Sequence, residues 1–201
     1  MAEATRIAAL SGSLRRQSVN TALLHEIAAR APDGVTVEIV SLEALPLFNP
    51  DLESDPPHAV AAFRGCIAAA DALIIASPEY AHGVSSVIKN ALDWLVASED
   101  FAGMPVVVLN AAPRAHHADA ALREILSTMA ARIVEKASVT VPLPDAAPFH
   151  PASREMLTDA LAALVTAARR PLQGATHDQP RRNASQQDRD QHAPATEETG
   201  Q

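Results

Sequence analysis

Leu10-Ser11-Gly12-Ser13-Leu14-Arg15-Arg16-Gln17-Ser18-Val19-Asn20 is the stretch on which the fold turns. The apolar run Arg6–Leu10 ahead of it reads as a buried strand. Behind it, Leu23, Leu24, Ile27 and Ala31 recur at helical spacing, so a helix is expected over Thr21–Arg30. The stretch is therefore a strand-to-helix loop crowded with hydroxyls, a glycine and two arginines. Backbone N–H groups at a helix N-terminus have no partner inside the helix, and the helix dipole adds partial positive charge there. Ser11, Ser13, Ser18 and Asn20 can donate further hydrogen bonds, and Arg15 can hold an anion in a forked contact. Gly12 is expected to let the turn close without a Cβ clash. Two readings stand side by side: a turn capped by Ser18, or a cradle for a phosphate. The loop has neither the Gly-Lys-Ser/Thr of a P-loop nor a Gly-x-Gly-x-x-Gly fingerprint, so any phosphate held here belongs to a mononucleotide such as FMN rather than to ATP or NAD.

Outward from this loop, strand and helix signals alternate. Val35–Val40 alternates and is β-branched, a second strand. Leu45–Glu53 is a proline-broken loop with exposed apolar residues, of the kind that serves function or an interface. A helix follows over Pro57–Ala70, then the continuous apolar strand Ala72–Ala76, the loop Ser77–Gly83 and a helix over Val84–Val96. Next come a buried strand Pro105–Leu109, a loop Asn110–Ala118, a helix Ala118–Ala130, a strand near Val134–Val141 and a last helix Ser153–Arg170. Five such alternations predict an α/β, doubly wound, five-stranded parallel sheet of order 2-1-3-4-5, a three-layer α/β/α sandwich. In that topology ligands sit beyond the carboxyl ends of strands 1, 3 and 4, where the Ser11–Asn20, Ser77–Gly83 and Asn110–Ala118 loops converge. One domain is expected over residues 1–170. From Pro171 to Gln201 the composition turns polar, and this tail is expected to be disordered.

The 201 residues carry a formal net charge of −8, which argues against a broad nucleic-acid face. No apolar run reaches the length of a membrane span. Met1–Thr5 lacks the basic start and apolar core of a signal peptide, so a cytoplasmic address is expected. The single cysteine, Cys66, has no basic partner or CxxC spacing and reads as a small packed hydrophobe. The adjacent His116 and His117 read as a solvated loop rather than a metal site, with Arg114 beside them a candidate contact for a nicotinamide cofactor's phosphate.

Three blocks together resemble one family, the NADPH-dependent FMN reductases of flavodoxin-like fold, which include azo-, chromate- and quinone-reductase-type flavoproteins. Gly12–Asn20 is similar to the family's Gly-Ser-x-Arg-x-x-Ser-x-Asn phosphate loop, and the Leu45–Glu53 loop follows. Ser77-Pro78-Glu79-Tyr80 and Lys89-Asn90-Ala91-Leu92-Asp93-Trp94-Leu95 then resemble its Pro-Glu-Tyr-Asn and Lys-Asn-Ala-x-Asp-Trp signatures. The resemblance implies non-covalent FMN with NADPH or NADH as reductant. Ser11, Ser13, Arg15, Ser18 and Asn20 would hold the phosphate. Pro78, Glu79, Tyr80, Ala81, His82 and Gly83, with Asn110 and Ala111 of the third loop, would line the ring and ribityl chain. The implied activity passes hydride from nicotinamide to FMN and on to a small acceptor: a quinone, flavin, azo compound or metal oxyanion. No catalytic triad, general base or metal ligand is implied. A homodimer or tetramer is, with contacts from the Leu45–Glu53 loop and the Val84–Val96 helix; Trp94 reads as packing. The chain departs from the pattern at Ala81, where members usually carry Asn, and in a third loop without glycine that holds Pro113. Two alternatives remain: a flavodoxin-type electron carrier without NAD(P)H activity, and a binding module of the same fold that has lost FMN.

Overall fold

The computed structural model describes residues 4–113, 116–142 and 149–170. The expected tail and Arg114 lie outside the described residues.

Strand β1 (Thr5–Ser11) leads to helix α1 (Val19–Ala28), β2 (Val35–Val40), α2 (His58–Ala68) and β3 (Ala72–Ala76). A small hairpin of β4 (Glu79–Tyr80) and β5 (Gly83–Val84) precedes α3 (Ser86–Asp93), β6 (Pro105–Leu109), α4 (His116–Thr128), β7 (Arg132–Ile133) and α5 (Pro151–Ala168). The main sheet has order β2-β1-β3-β6-β7, parallel throughout, which is the expected 2-1-3-4-5 with the hairpin set apart.

The apolar runs are buried on both faces, as a parallel sheet covered by helices demands. Successive side chains alternate between two cores. Ala8, Leu10, Leu73, Ile75, Val106 and Val108 meet Phe63, Trp94 and Leu122 on one face. Ile7, Ala9, Ile74 and Val107 meet Leu23, Leu24, Leu157 and Leu161 on the other. These are the three layers. Among the described residues no helix is long and apolar enough to cross a membrane.

Three expectations are corrected. The strand near Val134–Val141 is instead the two-residue β7, a 3₁₀ turn over Glu135–Ala137 and a single bridge from Thr140 to Asn110. The turn carries the chain away from β6, and the Ser138 hydroxyl accepts the Val108 N–H at 3.0 Å where a backbone carbonyl would have stood. Val84 is not helical: it pairs with Glu79, and the following Ser85 caps α3 by accepting the Ile88 N–H at 3.3 Å. The Ser77–Gly83 loop accordingly holds the hairpin. The other helices begin and end within about two residues of expectation, the usual uncertainty of frayed ends.

Candidate functional site

The first loop is built around the end of β1. The Gly12 N–H donates to the Ala76 carbonyl at 2.8 Å, which draws the loop against the end of β3. A Cβ at Gly12 would stand 2.7 Å from Ser85 Oγ, 2.8 Å from Ser77 Oγ and 2.9 Å from Ile88 Cγ1. The Cβ clash that glycine avoids here is thus with Ser77 and the start of α3. The missing side chain makes room for the N-terminus of α3, where Ser77 Oγ donates to the capping Ser85 Oγ at 3.4 Å.

The remaining hydroxyls divide into tied and open groups. Ser11 Oγ shares a 2.7 Å hydrogen bond with Thr21 Oγ1, fastening the loop to the first turn of α1. Ser18 is the N-cap of α1, its Oγ accepting the Thr21 N–H at 3.2 Å. Ser13 Oγ accepts the Arg15 N–H at 3.4 Å, and the Arg15 and Arg16 side chains are exposed. Asn20 is buried, and its Oδ1 has no hydrogen-bond partner. The amides of Val19 and Asn20 fall at the first helical positions, where no intrahelical acceptor exists. The loop therefore offers free backbone donors, an unpartnered buried amide oxygen and exposed guanidinium groups in eleven consecutive residues, 10–20.

The second loop is the β4–β5 hairpin. Its two central residues, Ala81 and His82, have φ of 50° and 58°, as a two-residue type I′ turn requires. Side chains other than glycine in this left-handed region cost about 1–2 kcal/mol each. Tyr80 is exposed, while Pro78 and Gly83 are half-buried. The Glu79 carboxylate turns to α4: Oε2 accepts the Ala118 N–H at 2.9 Å and Oε1 meets His82 Nδ1 at 3.1 Å. The Ala118 amide is the chief cause holding the Glu79 carboxyl below its ordinary pKa, against the opposing effect of burial, with His82 and His117 contributing further. An ionised carboxylate only accepts, so His82 Nδ1 carries the proton of that contact. The His82 ring packs edge-on against His117 with centroids 4.5 Å apart, and His117 packs against His116 at 4.2 Å.

The third loop starts at Asn110, buried and held by backbone bonds to Val139 and Val141 at 3.1 and 2.7 Å. Its Oδ1 accepts the Ala112 N–H at 2.9 Å, which shapes the turn without glycine. Ala111 is half-buried beside it. A narrow cleft lined by Ser77, Asn110, Asp119 and Leu122 runs between the ends of β3 and β6 and α4. The three loops that the sequence singles out thus emerge at the carboxyl ends of the adjacent strands β1, β3 and β6. A larger cavity of about 400 Å³ lies between β7 and α5. It opens where β7 pairs with Pro105, the first residue of β6, and so at the opposite end of the sheet from these loops.

Sequence reasoning missed a clasp on the Leu45–Glu53 loop. Asn90 of α3 accepts the Phe48 N–H through Oδ1 at 2.8 Å and donates through Nδ2 to the Pro46 carbonyl at 2.9 Å. Trp94 Nε1 donates to the same carbonyl at 2.9 Å, and Phe48 packs edge-on to the buried indole at 5.0 Å. Arg64 closes the loop's far end, donating to the Trp94 carbonyl at 2.8 Å and pairing with Glu53 at 2.9 Å. The Lys-Asn-Ala-x-Asp-Trp block is the signal that flags these residues, and their partners 42 to 48 positions away are what it omits. Among the described residues no group of three or more His, Cys, Asp or Glu side chains is placed to hold a metal ion.

Comparisons with known proteins agree with this architecture. A segment of the chain is 47% identical over 97 residues to a probable NADPH:quinone oxidoreductase 2 of Oryza sativa subsp. japonica, covering 46% of this chain and 48% of that protein. Another comparison gives 39% identity over 114 residues to an NAD(P)H-dependent FMN reductase of Pseudomonas aeruginosa, covering 55% and 62%. The chain thus spans roughly half to three-fifths of these relatives' length. Among solved structures, the flavoenzyme NAD(P)H:(acceptor) oxidoreductase FerB from Paracoccus denitrificans superposes with a TM-score of 0.66 at 23% identity, covering 84% of this chain and all of that one, a likeness of fold. Residues 5–144 match the family model described as NADPH-dependent FMN reductase, and the chain belongs to that family.

Proposed function

We propose that this protein is an NAD(P)H-dependent FMN oxidoreductase that passes reducing equivalents from a nicotinamide cofactor to a small acceptor, a quinone first among them. The observation that carries the reading is the loop at the N-terminus of α1, with its free Val19 and Asn20 amides, unpartnered Asn20 Oδ1 and exposed Arg15, in a chain of the FMN reductase family. The residues fit FMN. Ser13, Arg15 and the first-turn amides suit a phosphate dianion, and the Asn20 oxygen suits a ribityl hydroxyl that needs an acceptor. Tyr80, Ala81, Gly83, Asn110 and Ala111 would border the ring and ribityl chain. Ser11 and Ser18 support the loop, since their hydroxyls are engaged with α1. Once bound, the flavin supplies hydride and electron transfer, and the protein supplies position and electrostatics.

A second copy of the chain belongs to the same reading. Leu47, Val96 and Tyr80 are 82%, 65% and 59% exposed, and Leu47 sits on the clasped loop that ends against Trp94. Large exposed apolar side chains of this kind favour a partner surface, and a homodimer through the Leu45–Glu53 loop and α3 would cover them. Light scattering at micromolar concentration should report twice the chain mass. A cytoplasmic address goes with this reading.

The test is the visible spectrum after incubation with FMN and desalting. Retained flavin bands that bleach anaerobically with NADPH and return on adding 1,4-benzoquinone are expected. Bands that never bleach would make the protein an electron carrier. A colourless protein would sink the flavin reading.

A further inference from the structure

Glu79 was expected to line the flavin, yet both carboxylate oxygens are spent elsewhere. Its side chain is 12% exposed and bridges two elements that the chain separates by 39 residues, accepting the Ala118 N–H at 2.9 Å and holding His82 Nδ1 at 3.1 Å. One end of the bridge is the hairpin of the second loop, whose turn runs through two left-handed residues. The other is the N-terminus of α4, which ends the third loop. A carboxylate is the favoured group at a helix N-terminus, because it satisfies a free amide and meets the positive end of the dipole. His82 and His117, packed edge-on at 4.5 Å, form a second contact across the same seam.

Resting on the flavin site read above, we propose that Glu79 is a positioning residue. Its carboxylate clamps the β4–β5 hairpin to the N-terminus of α4, and so fixes the spacing of the second and third loops and sets FMN affinity without touching the cofactor. The clamp also dictates the His82 tautomer: with Nδ1–H turned to Glu79, Nε2 is the ring nitrogen left to face solvent or a ligand. A hairpin with two strained turn residues has little stability of its own, which is why an external anchor decides where it sits.

Reach, not charge, is the discriminating property. Glu79→Gln keeps both the length and an oxygen for the Ala118 amide. Glu79→Asp keeps the charge but shortens the side chain by one methylene. Two quantities are to be measured on the full chain: amide hydrogen exchange at Ala118 in the flavin-free protein, and the FMN dissociation constant from fluorescence quenching. The expected result is that Glu79→Ala and Glu79→Asp speed Ala118 exchange about five- to tenfold, as loss of a cap should, and weaken FMN about tenfold, while Glu79→Gln stays within about twofold of wild type in both. Should Glu79→Ala fail to fold, Glu79→Asp against Glu79→Gln decides the matter. If Glu79→Asp binds FMN like wild type and Glu79→Gln does not, charge near the flavin is the role and the clamp is wrong. Unchanged FMN affinity in all variants also overturns it. Wild type that binds no FMN overturns the functional reading itself, a result distinct from either.

Discussion

Gly12→Ala tests the packing beneath the site at one atom. A methyl there would lie 2.7, 2.8 and 2.9 Å from Ser85 Oγ, Ser77 Oγ and Ile88 Cγ1, where ordinary contact begins at 3.4 Å. Each neighbour must therefore retreat by about half an ångström or more, and none is the loose end of a long side chain. Ser85 caps α3, Ile88 is fully buried in the core, and Ser77 is the buried residue that follows β3. Forcing a methyl into such a core costs about 1–3 kcal/mol. Displacing Ser85 from the Ile88 amide adds about 1 kcal/mol for a lost cap. Together the variant should lose about 2–4 kcal/mol, which for a chain of this size lowers Tm by about 5–15 °C. Urea denaturation followed by circular dichroism measures it, with Gly65→Ala as the control. Gly65 lies exposed within α2, nothing stands within 4 Å of a Cβ built there, and alanine should stabilise by about 0.5–1 kcal/mol. A Gly12→Ala protein within about 0.5 kcal/mol of wild type would refute the packing described between the first loop and α3.

Other perturbations probe the remaining parts of the site. Asn90→Ala removes both bonds to the Leu45–Glu53 loop and leaves the Pro46 carbonyl with Trp94 alone, so the loop should be cut faster in limited proteolysis and stability should fall by about 1–3 kcal/mol. Trp94→Phe removes the indole N–H and also shrinks a fully buried ring, so a cavity adds to the lost hydrogen bond and a fall at least as large as that of Asn90→Ala is expected. Ala81→Asn puts a side chain tolerant of left-handed backbone at φ 50° and should raise the urea midpoint by the equivalent of about 0.5–1 kcal/mol. Glu26 and Glu79 are both held below the ordinary carboxylate value of 4.5, Glu26 chiefly by its hydrogen bond from Arg30 and Glu79 chiefly by the Ala118 amide. A depressed folded pKa contributes stability that is present above the unfolded value and lost as pH falls through the folded one. The urea midpoint should thus hold steady down to about pH 5 and drop below it, and Glu26→Gln should flatten that acid limb; an unchanged limb would contradict the Arg30 and Arg154 contacts.

The layout of the molecule was legible in the chain because it rests on local patterns. Four of the five strands, β1, β2, β3 and β6, follow from short apolar or alternating runs separated by helical spacing, since backbone geometry alone sets periods of two and 3.6 and crossover handedness prunes the order. The same rules place Ser11–Asn20, Ser77–Gly83 and Asn110–Ala118 at one end of that sheet before any contact is known. Ser18 as the cap of α1 is equally local, its acceptor and donor three residues apart. What only the tertiary structure decided is which way polar groups turn once strands bring distant residues together. Gly12 is small because Ser77 and Ser85 arrive beside it, the Glu79 carboxylate accepts the Ala118 amide of α4 from 39 residues away, and Asn90 holds a loop 42 residues back. The expected strand through Val134–Val141 fails for the same reason: Ser138 satisfies the Val108 amide from a 3₁₀ turn, so the backbone need not. Apolar patterning records only which face is buried, whereas a hydrogen bond depends on a partner at about 3 Å, and the distance between residues far apart in sequence exists only after the chain has folded.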